Sequence, residues 1–309
     1  AIFHFPFLSR IMDPFSLALV NTVFRLVMLC LLAPFTDVLE AVVSLMVPER
    51  KATVEEDPTL RLEERFLGHP ALAIEQSRIA INAMAEQSQQ ALIRSFSLLT
   101  TYSDSGYRAV EEMESAVDRY EDALGSYLVK LTGRELSERQ SREASRFLHT
   151  LSDFERISDH ALNIAQSARE IHEKRIDFSS AALHEMQVTT SAVGQVMDLT
   201  LHAFLQDDLT LASQVEPLEE VIDNLCDEMK LRHVERLREG TCTIDHGFVY
   251  NDLITNLERV SDHCSNIAVA LIELDVGAFD THEYLEKIRE KRSPDFQRYY
   301  DSFRTQFAL

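Results

Sequence analysis

At 309 residues the chain is long enough to bury a sizeable core, and its formal net charge of −21 excludes the basic stripe that nucleic-acid binding needs. Only 8 Gly and 8 Pro occur among helix formers such as Ala, Leu, Glu, Arg and Gln, which predicts an all-α protein. Cys30, Cys226, Cys242 and Cys264 show no C-x-x-C spacing. That excludes a zinc ribbon and a disulfide framework, and points to reduced, buried thiols in a cytosolic compartment.

Residues 1–48 differ from the rest. FSLALVNTVFRLVMLCLLA runs from Phe15 to Ala33 between Pro14 and Pro34 with one charge, Arg25, and a second apolar stretch covers Val38 to Val47. The first is long enough to span a bilayer, so the expectation is an inner-membrane segment. Arg25 near its middle keeps a buried soluble helix open as the alternative. No basic start or small-residue cleavage site marks a signal peptide. Arg50 and Lys51 follow, which places the next domain on the cytoplasmic side. The first residue is Ala, so a fragment of a longer protein is expected. Residues 49–70 read as a charged connector.

From Ala71 onward apolar residues recur at helical spacing, predicting helices over 71–102, 106–132, 136–174, 180–206, 209–239 and 246–275. A tail helix near 282–304 follows within a final segment, 277–309. Gly133 and Gly240 suit left-handed C-terminal caps, and Ser137 with Gln140 makes a capping box. Six helices joined by short loops imply an antiparallel bundle.

The chain repeats itself. FERISDHALNIA at 154–165 and LERVSDHCSNIA at 257–268 agree at eight of twelve positions. Upstream, EMESAVDRYED at 112–122 corresponds to PLEEVIDNLCD at 217–227, pairing Glu114 with Glu219, Asp118 with Asp223 and Asp122 with Asp227. Two three-helix units therefore follow one another, 71–175 and 176–276.

Glu155 and Asp159 are four residues apart and share a helix face, which Asn163 extends; Glu258, Asp262 and Asn266 repeat the arrangement. Glu114, Asp118 and Asp122 form a similar column, as do Glu219, Asp223 and Asp227. Like charges at this spacing destabilise a helix unless something compensates. Arg156 and Arg259, one residue from each glutamate, do not share the face. Two columns facing each other between packed helices would hold hard or borderline cations such as iron, manganese, magnesium or zinc. Asn163 and Asn266 would add a carbonyl oxygen or orient a ligand. A solvated acidic face on a metal-free helical adaptor is the competing reading. His160 and His263 lie about 100° from the carboxylates, so they are expected to pack or cap nearby. A carboxylate-bridged di-metal enzyme is the weaker alternative, because no E-x-x-H pair accompanies the repeated strings. No phosphate-cradling glycine loop, nucleophile elbow or EF-hand loop is present, so a non-enzymatic role is expected.

FERISDHALNIA, LERVSDHCSNIA and the upstream VEPLEEVIDNLCD resemble the PhoU family over about residues 71–276. The N-terminal SLALVNTVFRLVMLCLLAPFTDVLEAVV is similar to the last membrane segment of bacterial sodium/phosphate cotransporters, where a PhoU-like domain commonly follows. The resemblance implies multinuclear iron or zinc clusters held by Glu155, Asp159, Glu258 and Asp262, with the upstream acidic columns facing them. It implies a regulatory domain of phosphate uptake and homeostasis. Its expected partners are the membrane transporter core, a sensor kinase or further copies of itself, and, indirectly, inorganic phosphate. The glutamine- and serine-rich repeats of the cotransporter core are absent, so the chain as written is no complete transporter.

Overall fold

A computed structural model describes residues 14–32, 62–276 and 294–309, and all of its regular structure is helical. The chain divides into two units, Ala1–Glu56 and Asp57–Leu309.

In the first unit, α1 (Pro14–Leu32) is a 19-residue helix with Leu19, Phe24 and Leu29 exposed. Among the described residues no helix is long and apolar enough to cross a membrane. This overturns the expected inner-membrane location. Asn21 and Arg25 interrupt the middle of the helix, where a polar or charged side chain is costly in hydrocarbon. The apolar stretch at 38–47, the Arg50–Lys51 pair and most of the connector lie outside the described residues.

The second unit opens with a short 3-10 turn, Glu64–Gly68, which buries Leu67. Then come α2 (Pro70–Thr100), α3 (Asp104–Thr132) and α4 (Glu138–Lys174). The second copy of this pattern is α5 (Ser180–Gln206), α6 (Leu209–Arg238) and α7 (Ile244–Val276), with α8 (Pro294–Gln306) laid on α6. Residues 277–293, including the first part of the expected tail helix, lie outside the described residues.

The helix starts follow from local chemistry. Ser103, Ser137, Ser179 and Asp208 each accept a backbone N–H from the first turn, and Ser137 with Gln140 completes the capping box. The ends are less orthodox. Gly240 is left-handed (φ 71°), but Gly133 is not (φ −76°, ψ 1°), contrary to the expectation from sequence. Arg175 and Asp207 take the left-handed caps instead. Asp tolerates that region better than most residues, because its short side chain bonds locally.

Within each repeat three helices pack together, and the repeats meet where α4 lies along α7 and α2 touches α5. Small residues make these approaches close. Along α2, Ala73, Ser77, Ala80, Met84, Ala85, Ser88 and Ala91 are buried, and Ser77 and Ser88 return their hydroxyls to carbonyls one turn back. Phe154 of α4 is fully buried and meets Phe204 of α5 edge-on, with centroids 5.0 Å apart, across the two repeats.

A buried ion pair fastens the second repeat. Glu185 on α5, 1% exposed, accepts both Nη1 and Nη2 of Arg236 on α6 at 2.9 Å, and Tyr250 Oη on α7 at 2.5 Å. Arg232 adds a longer contact at 3.5 Å. Burial pushes the Glu185 carboxyl up, but the bonds from Arg236 and Tyr250 outweigh it and hold it below its ordinary value.

Candidate metal centre

The two repeated strings lie mid-helix on α4 and α7. Phe154, Ile157, Ser158, Ala161 and Ala165 of α4 are buried, as are Leu257, Val260, Ser261, Cys264 and Ala268 of α7. This apolar stripe leaves Glu155 and Asp159, and likewise Glu258 and Asp262, on the flank of each helix, beside α3 and α6.

In the second repeat three of the predicted carboxylates converge. Glu219 and Asp223 of α6 and Asp262 of α7 each offer an oxygen, and these atoms lie within 4.8 Å of one another. Glu219 is buried. Burial pushes the Asp262 carboxyl up; Arg259, 3.2 Å away, opposes this and Glu258 adds to it. Glu258 bonds the Lys230 ammonium at 2.5 Å, and Asp227, its side chain 77% exposed, stands 3.6 Å from the same ammonium. One turn earlier, buried Glu216 accepts the Ser265 hydroxyl.

In the first repeat Glu155 has its carboxyl pushed up to about 7 by burial and by the charge of Asp159. Burial also raises Glu114, with Asp159 and Asp118 contributing, and raises Glu121 beside Asp122 and Asp118. Asp118 and Asp122 are exposed. Arg156 reaches Glu155 and Asp159 at 3.3 Å each, so its long side chain bends onto the face that sequence spacing denied it. In the second repeat Arg259 reaches Asp262 in the same way.

The two faces are not equivalent. In the register of the repeat Lys230 corresponds to Gly125, and Cys226 corresponds to Glu121. The second repeat therefore carries its own ammonium where the first carries another carboxylate. Glu121, Glu216 and Lys230 were missed from sequence. Glu121 lies seven residues after Glu114, and a strict four-residue count steps over it to Asp122.

The histidines serve the contact between repeats. His160 Nδ1 lies 2.9 Å from Asn256 Oδ1, and His263 Nδ1 lies 2.9 Å from Asp153 Oδ1. Asp153 and Asn256 occupy the same place in the repeat, so these bonds are reciprocal. The two rings stack with centroids 5.6 Å apart, and Asn266 Nδ2 also donates to Asp153 at 3.2 Å. Burial, with the neighbouring His263 ring, holds the His160 imidazole below its ordinary value despite the Asn256 bond.

An all-oxygen donor set suits hard cations. Zinc, which favours nitrogen and sulfur, finds His160 and His263 engaged elsewhere through Nδ1, and burial pushes the Cys226 thiol up, away from the thiolate a metal needs. The residues present fit magnesium, manganese or iron better than zinc.

Residues 81–168 and 190–271, one segment in each repeat and together more than half of the chain, match the PhoU domain. The chain belongs to the PhoU family. A phosphate-specific transport system accessory protein, PhoU homolog 1, from Thermotoga maritima is 32% identical over 141 residues, which is 45% of this chain and 59% of that protein. A PhoU homolog of the same description from Streptococcus pneumoniae is 24% identical over 216 residues, 70% of this chain and 92% of that protein. Crystal structures of PhoU from Pseudomonas aeruginosa (TM-score 0.62, 22% identity, 66% of this chain and 97% of that one) and of the PhoU regulatory protein from Streptococcus pneumoniae (TM-score 0.61, 17% identity, 69% and 99%) share the fold.

Proposed function

We propose that this chain is a non-enzymatic regulator of a phosphate transport system, and that divalent cations on its acidic helix faces maintain the surface it presents to its partners. The regulatory part is supported by the match of both repeats to PhoU, whose curated relatives are described as accessory proteins of phosphate-specific transport. The cation part is carried by one observation, the convergence of Glu219, Asp223 and Asp262 from two helices within 4.8 Å. Glu219 is buried and Asp223 and Asp262 are half-buried; carboxylates this close repel, and a divalent cation turns that repulsion into attraction. The partner is a component of the transport machinery or the sensor kinase coupled to it, and the transporter is a sodium-coupled carrier, a reading that rests on the sequence likeness of residues 16–43 alone.

The test is phosphate uptake by cells deleted for the chain, with and without sodium. Uptake in phosphate-rich medium is expected to rise severalfold in the deletion. The parent chain should restore it, while a folded Glu219→Gln/Asp223→Asn/Asp262→Asn variant should not. Uptake unchanged by the deletion would contradict the regulatory reading, and full restoration by the triple variant would remove the cations from it. Sodium-independent uptake would reassign the carrier.

A further inference from the structure

The acidic faces do not account for a basic pocket lined by residues of both repeats. A cavity of about 420 Å³ is lined by Arg78 of α2, by Arg139, Arg142, Glu143 and Arg146 of α4, and by Asp207 between α5 and α6. Four guanidiniums against two carboxylates leave this pocket positive in a chain whose net charge is −21.

The arrangement runs against helix electrostatics. Arg139, Arg142 and Arg146 fall at i, i+3 and i+7, so they share one face, where like charges destabilise. Arg139 also sits in the first turn of α4, which begins at Glu138, and positive charge is unfavourable at a helix N-terminus. Both costs vanish when an anion is bound among them.

The pocket is also built rather than incidental. Arg78 pairs with Glu143, and Arg146 pairs with Asp207. The two guanidiniums lie over the Phe147 ring, 5.9 and 5.5 Å from its centroid, and Arg146 also lies over Phe204 at 5.7 Å. Arg146 is 14% exposed, and its Nε is buried with no hydrogen-bond partner. Arg139 and Arg142 are exposed and carry no ion pair among the described residues. Two arginines are thus held rigidly and two are uncommitted. Glu143 and Asp207 neutralise the rigid pair, so the net positive charge of the pocket comes from Arg139 and Arg142.

We propose that this pocket binds a phosphate dianion, either free inorganic phosphate or the phosphomonoester group of a small molecule. Guanidiniums match tetrahedral oxyanions with paired N–H donors, and the cavity has room for an ester substituent beyond the phosphoryl group. The proposal rests on the pocket's charge and geometry and does not depend on the acidic faces binding metal.

The test is isothermal titration of the full chain, in chloride buffer of fixed ionic strength with chelator present, against inorganic phosphate and against adenosine monophosphate. Chelator prevents phosphate from binding through a metal. Submillimolar binding is expected for at least one ligand, weakened about tenfold or more by Arg139→Gln/Arg142→Gln, which removes two charge-assisted donors at exposed positions and leaves the fold intact. Binding of phosphate itself identifies the free anion as the source, and binding of the nucleotide alone identifies an ester. Failure of both to bind below about 10 mM, or equal binding by parent and variant, overturns the proposal.

Discussion

Glu185→Gln is expected to destabilise the protein by about 3–5 kcal/mol at pH 7, because it leaves the Arg236 guanidinium, 14% exposed, beside a neutral amide. For a unit of this size that lowers the midpoint of thermal unfolding by roughly 6–20 °C. Exchanging both partners, Glu185→Met with Arg236→Met, should cost less than the single change, since no buried charge is stranded. The pH dependence has a definite sign. The Glu185 carboxyl is held below its ordinary value in the fold, so its contribution is complete above the unfolded value and is lost as pH falls through the folded one. The gap between parent and Glu185→Gln should therefore be widest near neutrality and narrow below about pH 4. Denaturation of both proteins from pH 7 to pH 3, followed by circular dichroism, measures it. A gap under about 1 kcal/mol at pH 7 would show that water, not the buried pair, solvates Arg236.

Phe154→Ala should cost about 3–5 kcal/mol, through lost burial and a cavity beside Phe204. The size of the effect reflects the position of Phe154 on α4, between both repeats. The other repeat offers a natural control, because Leu257 stands in the same register and is also fully buried. Phe154→Leu, which copies that solution, should cost about 1.5 kcal/mol or less. Because α4 and α7 share one interface, both variants should still unfold in a single transition. Separate transitions for the two repeats in Phe154→Ala would mean that they are stable independently.

The helices and the repeat were legible in the sequence because both are local or periodic signals. The capping box at Ser137 was found where its spacing put it. The left-handed turn at Asp207 was not, because the residue that takes it is not glycine and it pairs with Arg146, 61 residues away. The carboxylates were identified by their spacing, but which of them meet depends on how α3 packs on α4 and α6 on α7. Nothing in the spacing distinguishes Glu121 from Asp122, or shows that Lys230 would reach Glu258. The reciprocal bonds of His160 and His263 join residues about a hundred positions apart, and the arginine pocket draws on four separate stretches of chain. The apolar run at 15–33 misled for a different reason. Its length suggested a membrane span, whereas no described helix is long and apolar enough for one, and Asn21 and Arg25 stand near its middle.

The most direct test of the acidic faces as cation sites is elemental analysis of the full chain purified without chelator, beside Asp159→Ala/Asp262→Ala. At least one equivalent of iron, manganese or magnesium per chain is expected in the parent, falling away in the variant, with added metal raising the parent's melting temperature alone. Metal-free parent protein that gains no stability from added divalent ions, with a variant that melts at the same or a higher temperature, would contradict it. The acidic faces would then be the surface of a metal-free helical adaptor.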